Sequence, residues 1–478
     1  MEAITLRELM EATGGKLCGE FNDLDVQITG AESDNRKIAA GDVFFAFPGE
    51  KADGHRFAGA ALEAGAVGCV ISKEPESFID GKFYLMVEDT ILAYGDLARY
   101  YRSKFNIPVI GVTGSVGKTT TKDMIASVLA QKYNTLKTEG NFNNNIGLPR
   151  TILRITSETQ IAVIEMGMNH FGEIDYLAGI ARPDAAVITN VGDAHIGNLG
   201  SRQGIFQAKS EIFNGLKEGG YAVMNADDEY LRQLKDDGEK LEKFRFTWVG
   251  EADDSSFRAI QIDDSGADGM SFTMRDNTDA EYRVEVPTPG RHMIYPAATA
   301  AAIGTYFGLT PEQITEGIRS YVPTKMRMET LHLPGNITVF NDTYNANPQS
   351  MKAGLQTLSR ANADRKIAIV GDMGELGEEE ERLHREVGKF AAQLPIDMMI
   401  TVGAASKAIA EEAAAGIRDV RPCGDKEEAK AILREILAKD SEDQGSIAFL
   451  CKASRFMALE ELTAEIRAIA DGANGRGL

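Results

Sequence analysis

Cysteine is scarce in this 478-residue sequence, and its cysteines are scattered singly. The four are Cys18, Cys69, Cys423 and Cys451, and no two of them have the CxxC spacing of a redox motif or a structural zinc site. A fold stapled by disulfides is therefore not expected. The pattern predicts free thiols in a reducing compartment.

Basic residues are outnumbered by acidic ones, 51 to 72, and long apolar runs are absent. The formal net charge of −21 argues against a broad basic face for nucleic acid or an anionic membrane, so a phosphorylated substrate must meet local positive charge. Residues 1–6 have no basic start, and no stretch reaches the roughly 18 uninterrupted apolar residues of a membrane span. The sequence predicts a cytoplasmic protein with no nucleic-acid partner and no stable membrane insertion.

Segment 107–122 is an apolar run that breaks into a glycine-bracketed turn and continues as a helix. Gly114 and Gly117 allow a tight turn in which backbone N–H groups and the positive helix end converge on an anion. Lys118 adds a mobile charge, and the Thr119 hydroxyl is placed to hold a phosphate-bound Mg²⁺. An ordinary strand-to-helix turn is the alternative. The usual motif has its first glycine six residues before the lysine, where this chain has Val112, with Gly111 one place earlier. The predicted nucleotide-binding residues are Thr113, Gly114, Ser115, Val116, Gly117, Lys118, Thr119 and Thr120.

Length and patterning predict an α/β protein of three domains. We expect a small α/β domain at 1–105, a central phosphate-loop domain with a mostly parallel sheet at 106–322, and a Rossmann-like, doubly wound sheet at 323–478. A smaller antiparallel extension of the central domain is expected from strands near Ala222, Phe246, Phe257, Met270 and Tyr282. In the third domain the pattern predicts strands at 337–340, 367–370 and 398–402 and helices at 350–359 and 379–392.

Three polar residues stand out in the central segment. A predicted strand delivers Glu165 at its carboxyl end, where open α/β sheets place their ligands, and the next strand leads to His195. These two could hold a divalent ion between them, although a lone histidine is more often structural. Lys209, taken alone, is typical of a solvated helix lysine paired with a glutamate.

Two kinds of loop are candidates for substrate contact. Segment 138–149 is rich in glycine and asparagine, and the amides of Asn141, Asn143 and Asn144 could donate hydrogen bonds to phosphate or sugar oxygens. Segments 33–36 and 53–55 are polar and lie beside an apolar strand. A plain surface loop or turn is the alternative for each, because Asp and Asn favour such positions.

These features together resemble the Mur ligase family of ATP-dependent amino-acid and peptide ligases. The features that carry the resemblance are the motif at 113–120, Glu165, His195 and, fourteen residues later, Lys209. Three further motifs resemble the members that add a D-alanyl-D-alanine dipeptide: 138–147, 341–351 and 371–377. The likeness covers essentially the whole chain.

The resemblance implies a function for each predicted domain. The first would hold UDP-N-acetylmuramoyl-tripeptide, the second ATP and the third the incoming D-alanyl-D-alanine. The tripeptide carboxylate would attack the γ-phosphate, and the dipeptide amine would displace phosphate from the resulting acyl phosphate. The expected cofactors are ATP and two Mg²⁺ ions, the partners are these small-molecule substrates, and we expect a monomer.

The resemblance also implies roles for single residues. Lys118 and Thr119 would hold the ATP phosphates and the first Mg²⁺, with Glu165 as a further metal ligand. His195 would serve a second Mg²⁺. Lys209 would react with CO₂ to give an anionic carbamate ligand, which requires the neutral amine that burial favours. The residues implied to contact ATP or substrate are Arg327 and Asp342 for the nucleotide, and Ser33, Asp34, Arg36, Asn141, Asn143, Asn144, Asn345 and Asn347 for the substrates.

Some positions depart from the family pattern. The customary His-Asn-x-x-Asn segment begins at His292, where Met293 and Pro296 replace both asparagines. Ala453 stands where a glycine is customary, and Asn35 replaces a serine. A ligase for another amino acid, a folylpolyglutamate synthase-like ligase and a non-catalytic nucleotide-binding module are the alternatives. The motif at 341–351 argues against the first two, and the retention of all four candidate catalytic residues argues against the third.

Overall fold

The computed structural model describes residues 1–49, 52–75, 77–440 and 445–474. The described strands are β1 (Ile4–Thr5), β2 (Lys16–Cys18), β3 (Gln27–Ile28), β4 (Gly30–Glu32), β5 (Asp42–Phe45), β6 (Gly68–Ile71), β7 (Phe83–Met86), β8 (Val109–Thr113), β9 (Thr135–Lys137), β10 (Ile161–Glu165), β11 (Ala185–Ile188), β12 (Tyr221–Asn225), β13 (Arg245–Gly250), β14 (Phe257–Asp263), β15 (Met270–Arg275), β16 (Glu281–Val286), β17 (Glu329–Leu333), β18 (Ile337–Asp342), β19 (Arg365–Gly371), β20 (Met398–Val402), β21 (Asp419–Cys423) and β22 (Ile447–Lys452).

The described helices, in chain order, are α1 (Leu6–Thr13), α2 (Ala58–Glu63), α3 (Thr90–Ser103), α4 (Lys118–Leu129), α5 (Gly147–Ile152), α6 (Glu173–Ala181), α7 (Ile196–Leu199), α8 (Arg202–Ser210), α9 (Ile212–Gly215), α10 (Gly238–Lys243), α11 (Ile294–Tyr306), α12 (Pro311–Arg319), α13 (Pro348–Arg360), α14 (Glu380–Ala391), α15 (Lys407–Ala413), α16 (Lys426–Asp440) and α17 (Glu460–Asn474). Within the described part of the chain, no helix combines the length and the apolar character needed to span a bilayer.

The strands form four sheets. Their orders are β1-β3, β2-β7-β6-β5-β4, β16-β15-β14-β13-β12-β11-β8-β10-β9 and β17-β18-β22-β19-β20-β21. Parallel pairing dominates the second and the fourth, in which only the edge strands β2 and β17 run antiparallel to their neighbours. The predicted α/β class with mostly parallel sheets is confirmed.

The chain forms two compact units built from interleaved segments. One contains Met1–Thr113, Tyr133–Val187 and Ala208–Tyr221, and the other contains Gly114–Lys132, Ile188–Gln207 and Ala222–Leu478. The three predicted domains, with boundaries after 105 and 322, stay a prediction.

In the first unit, β8 and β10 are neighbouring parallel strands in which every residue is buried. Runs of Val and Ile of this kind suit a parallel strand that is covered on both faces. The register pairs Glu165 with Val112, so Glu165 stands at the carboxyl edge of the sheet. This is the edge where the sequence predicted ligand chemistry.

In the second unit, the sheet around β22 is covered on both faces by separate apolar clusters. Residues of α13, α14 and α15 pack on one face, and residues of α16 and α17 pack on the other. The strands and helices predicted for this region are all present. The register pairs Lys452 with both Asp342 and Val370, which places the ends of three parallel strands side by side.

The predicted antiparallel extension is correct for β14, β15 and β16. It is wrong for β13, which contains Phe246 and pairs with β14 in parallel. This parallel pairing covers only two residue pairs, Val249 with Phe257 and Gly250 with Arg258. The alternation of apolar residues could not have predicted this pairing. The pattern specifies which face of a strand is buried and not the direction of the neighbouring strand.

Candidate active site

The turn at 114–117 between β8 and α4 has the shape of an anion cradle. Gly114 has φ +149 and Gly117 has φ +80, values that residues with a side chain rarely adopt. A Cβ at Gly114 would lie 1.8 Å from Thr189 Oγ1. Lys118 begins the 12-residue helix α4, and its Nζ donates to the Gly114 carbonyl at 2.8 Å. The lysine therefore folds back over the turn at the positive end of the helix.

Asn190, which follows β11, fixes the shape of this turn. Its Oδ1 accepts from the Val116 N–H at 2.9 Å, and its Nδ2 donates to the Val116 carbonyl at 3.0 Å. Its own carbonyl accepts from the Ser115 N–H at 3.0 Å. Asn190 was not among the predicted site residues, although an asparagine directly after a buried strand at the ligand edge of a sheet is a usable signal. Through their main chains, the predicted contact residues Ser115 and Val116 shape the cradle.

His195 lies in the same unit as the cradle and meets a residue that the sequence analysis did not select. Its Nδ1 lies 2.8 Å from Glu375 Oε2. The nearby His195 holds the pKa of the Glu375 carboxyl below its usual range, and the charge of Lys118 adds to this effect. The structure thus places His195 beside Glu375, and Lys118 is close enough for its charge to act on the same carboxylate.

Two glycines allow this approach. The backbones of Gly197 and Gly377 come so close that a Cβ at Gly197 would lie 3.1 Å from the Gly377 nitrogen. Both His195 and Glu375 are themselves left-handed, with φ +64 and +63. Left-handed residues with side chains are uncommon and concentrate at functional sites.

The predicted motif at 341–351 also reaches the segment that supports the cradle. A Cβ at Gly192 would lie 2.4 Å from Gln349 Oε1. Of the predicted substrate residues here, Asn347 caps α13 by accepting from the Ser350 N–H at 2.9 Å, and Asn345 Oδ1 accepts from the N–H of the next residue at 2.9 Å. Both side chains have local structural partners, and their contact with substrate stays a prediction.

Asp342 and Arg327, the predicted nucleotide contacts, lie close together in the second unit. Asp342 ends β18, and its Oδ2 lies 2.6 Å from Lys452 Nζ at the end of β22. The Arg327 guanidinium stacks 4.2 Å from the centre of the Tyr344 ring, as a cation–π contact requires. The main chain links the two residues as well, because Asp342 Oδ1 accepts from the Met328 N–H at 3.2 Å.

Glu165 belongs to the first unit and is held by the asparagine-rich segment. It is 1% exposed, and its Oε1 accepts from Asn143 Nδ2 at 2.8 Å. Thr138 Oγ1 accepts from the Glu165 N–H at 3.0 Å. Asn144 instead accepts from the N–H groups of Ile146 and Gly147 at the start of α5. The role predicted for Asn143 as a substrate ligand stays untested, while its role in orienting Glu165 is visible.

Lys209 is buried, with 1% of its surface exposed. The alternative of a solvated helix lysine is therefore wrong for this residue. The reaction of Lys209 with CO₂ stays a prediction.

The predicted metal ligands fit Mg²⁺ through the oxygen atoms of Thr119 and Glu165. Among the residues that the structure describes, no group of three or more His, Cys, Asp or Glu side chains could hold a metal ion. This finding does not test the predicted ligands, because only two of them, Glu165 and His195, are His, Cys, Asp or Glu residues. These two residues belong to different units, and the set stays a prediction.

The N-terminal candidates form local turns. Asp34 accepts from the Arg36 N–H, and its carboxylate pairs with the Arg36 guanidinium at 2.8 and 2.9 Å. These bonds from Arg36 lower the pKa of Asp34 to about 2. The Ser33 N–H donates to Glu32 Oε1 at 2.9 Å. Turn formation accounts for this arrangement, and the substrate-binding role of Ser33, Asp34 and Arg36 stays a prediction.

His55, in the other polar N-terminal segment, has local partners on both ring nitrogens, and a role of this segment in substrate contact stays a prediction. The Ser72 N–H donates to its Nε2 at 2.9 Å, and its Nδ1 lies 2.6 Å from Asp53 Oδ1. The proton therefore sits on Nδ1.

The segment that departs from the family pattern starts α11. Met293 is 2% exposed and packs as a core residue. Burial lowers the pKa of His292, and the charge of Lys452 lowers it further against the opposing effect of Asp342. These charge effects place His292 near the Asp342 and Lys452 pair that ends β18 and β22.

Three family models match the chain. They are "Mur ligase family, catalytic domain" over residues 27–102, "Mur ligase middle domain" over 112–304 and "Mur ligase, glutamate ligase domain" over 326–450. One match falls within each of the three predicted domains, 1–105, 106–322 and 323–478.

Individual relatives match over nearly the full length. The chain is 38% identical to the UDP-N-acetylmuramoyl-tripeptide--D-alanyl-D-alanine ligase of Bacillus subtilis (strain 168) over 97% of this chain and 98% of that protein. It superposes on crystal structure I of MurF from Acinetobacter baumannii with a TM-score of 0.89 and 31% identity, covering 98% and 99% of the two chains. The MurF ligase of Thermotoga maritima in complex with ADP matches with a TM-score of 0.80 and 26% identity, covering 92% and 98%. From its fold, its cradle and these relatives, the chain is a member of the Mur ligase family.

Proposed function

We propose that this chain is an ATP-dependent ligase that joins D-alanyl-D-alanine to the tripeptide of UDP-N-acetylmuramoyl-tripeptide, in the synthesis of peptidoglycan precursors. The observation that carries the proposal is the preformed cradle, in which Asn190 fixes the turn and Lys118 folds over it. The name of the Bacillus subtilis relative supports this choice of substrates.

The reaction begins with phosphoryl transfer. A carboxylate oxygen of the tripeptide attacks the γ-phosphorus, the bond to the β-phosphate oxygen breaks, and an acyl phosphate and ADP form. Lys118, at the N-terminus of α4, supplies positive charge where negative charge spreads over the transferred group. The positive N-terminal end of α4, which begins at Lys118, attracts the remaining phosphates.

The second step forms the C–N bond. The amine of D-alanyl-D-alanine attacks the acyl carbon, loses a proton, and phosphate leaves with the oxygen that carried it. An acyl phosphate hydrolyses if water reaches it, so the site must exclude water while the amine approaches.

Metal ligands are part of the proposal. We assign Thr119, Glu165, His195 and the carbamate of Lys209 as the residues that hold two Mg²⁺ ions. When bound, Mg²⁺ neutralises charge on phosphate oxygens. The burial of Glu165 and Lys209 supports the assignment. Each is only 1% exposed, so neither residue serves to keep the protein surface hydrated.

The remaining assignments follow the family organisation. We propose that 1–105 binds the uridine nucleotide, 106–322 binds ATP, and 323–478 binds the dipeptide, with Arg327 and Asp342 as nucleotide contacts. A cytoplasmic monomer is proposed as well. The buried Lys209 and Glu165 argue against a non-catalytic module, because nucleotide binding alone needs only the cradle.

A phosphate-release assay tests the function. We expect the purified chain with ATP and Mg²⁺ to release phosphate only when both UDP-N-acetylmuramoyl-tripeptide and D-alanyl-D-alanine are present. The panel should include UDP-muramoyl peptides of other lengths and free amino acids as acceptors. Release that requires a folate in place of the UDP-tripeptide and glutamate in place of the dipeptide would support the folylpolyglutamate synthase-like alternative.

Asn190→Ala should raise the KM for ATP by up to about 30-fold with a smaller change in kcat, because it removes two hydrogen bonds, each contributing about 1 kcal/mol, that shape the cradle before ATP binds. Steady-state kinetics with varied ATP measures the effect. Asn225→Ala is the matched control. Asn225 Nδ2 donates to the carbonyl of Thr189, the residue before Asn190, at 3.2 Å. An unchanged KM in Asn190→Ala would mean that the turn keeps its shape without the Asn190 side chain, for example through the hydrogen bond from Thr189 Oγ1 to the Val116 carbonyl at 2.6 Å.

A further inference from the structure

We propose that Lys452 is a positioning residue for ATP, which holds Asp342 and, through Asp342, the turn that presents Arg327. The proposal rests on the proposed function, because that function assigns Arg327 and Asp342 to the nucleotide. The proposed function gives Lys452 itself no part in the reaction.

Lys452 is placed to act on two segments at once. It ends β22, its residue surface is 1% exposed, and the register sets it beside Asp342. Its Nζ lies 2.6 Å from Asp342 Oδ2 and donates to the Asn345 carbonyl at 3.0 Å. One buried ammonium group therefore connects the end of β18 with the loop that leads to α13.

Stability alone is a weak reason for a charge at this position. Taking both charges out of water costs about as much as their attraction returns, and a packed apolar side chain is often an equal or better choice. The Asp342 side chain keeps 15% of its surface exposed, whereas that of Lys452 keeps 2%. The carboxylate thus has an accessible side, and the lysine fixes the direction in which it faces.

The second oxygen of Asp342 holds a turn with an unusual backbone. Its Oδ1 accepts from the Met328 N–H at 3.2 Å. Met328 has φ +48 and Met326 has φ +61, so both neighbours of Arg327 are left-handed. Residues with bulky side chains adopt this conformation only where the surroundings impose it.

Two further hydrogen bonds impose the same turn. The Met326 N–H donates to Glu329 Oε2 at 3.2 Å, and its carbonyl accepts from the Tyr344 N–H at 3.1 Å. The Arg327 guanidinium then stacks on the Tyr344 ring. The direction of Arg327 therefore depends on Asp342, and the direction of Asp342 depends on Lys452.

The test measures ATP affinity by calorimetry on the full chain, with no other substrate, and then the KM for ATP against kcat. We expect Lys452→Met to weaken ATP binding about tenfold, the usual size of a lost supporting contact, with a smaller change in the KM for the UDP-tripeptide. Lys366→Met is the matched control. Lys366 lies on the neighbouring strand β19 and donates to the Ser359 carbonyl at 2.7 Å.

Lys452→Arg keeps the proposal testable if Lys452→Met does not fold. Arginine retains the charge, but its planar head cannot reproduce both hydrogen bonds, so a folded Lys452→Arg variant should bind ATP about threefold more weakly. Native ATP affinity in Lys452→Arg, native affinity in a folded Lys452→Met, or an equal loss in Lys366→Met would each overturn the proposal. Because binding is measured without ligation, failure of the native chain to join the two substrates would count against the proposed function and leave this comparison standing.

Discussion

Lys118→Ala abolishes ATP-dependent ligation and leaves the fold intact: this is the largest effect that we expect. The side chain donates to the Gly114 carbonyl across the cradle, where it meets the phosphates of ATP under the proposed function. Charge placed where a transition state develops charge contributes about 10²–10³-fold or more to the rate. A lysine at the mouth of a turn contributes little to stability, so the free energy of unfolding should change by no more than about 0.5 kcal/mol.

The matched control for this variant is Lys132→Ala. Lys132 lies just beyond the C-terminal end of the same helix, and its Nζ donates to the Gly308 carbonyl at 2.8 Å. Loss of phosphate release in Lys118→Ala alone, with equal thermal unfolding of both variants, is the expected result. Substantial turnover by a folded Lys118→Ala protein would contradict the assignment of the cradle.

Lys209→Ala should also reduce ligation strongly, by about 10²-fold or more, because the carbamate is an assigned metal ligand. Removal of CO₂ and bicarbonate from the assay should lower the activity of the native chain in the same direction. Short carboxylates such as formate or acetate should restore part of the activity of Lys209→Ala, since they can place a carboxylate in the space that the side chain leaves. Phosphate release under these three conditions measures the effect.

A direct observation separates the carbamate from other roles of Lys209. With carbon-13-enriched bicarbonate, the native chain should show a carbamate carbon resonance that Lys209→Ala lacks. Lys217→Ala is the control, because Lys217 belongs to the same unit but is 43% exposed and pairs with Asp184. A native chain without this resonance, and with activity indifferent to CO₂, would reduce Lys209 to a buried structural lysine.

Local pattern was sufficient for much of the fold and for the core of the candidate site. The glycine turn and Lys118 follow one another in sequence, so their chemistry is visible in a single segment. The strands of the last sheet were predicted because each is a short apolar run bounded by turn residues. Glu165 was found by the same logic, since it ends a buried strand.

Residues that act through distant partners were not predictable in this way. Asn190 and Glu375 gain their roles from contacts with Val116 and His195, which lie 74 and 180 residues away. A sequence pattern of period two or 3.6 reports burial along one element and carries no information on such pairs. Lys209 shows the opposite difficulty, because its place on a polar helix suggested exposure while tertiary packing buries it.

The contact between Gly197 and Gly377 restricts which amino acids these two positions can accept. A Cβ at Gly197 would lie 3.1 Å from the Gly377 nitrogen, and a Cβ at Gly377 would lie 3.0 Å from the Gly197 Cα. Gly377 also has φ +56, which residues with side chains rarely adopt. A substitution at either position would therefore push the two backbone segments apart, without altering any charged group near them. The distance between the His195 imidazole and the Glu375 carboxylate thus depends in part on two residues that have no side chains.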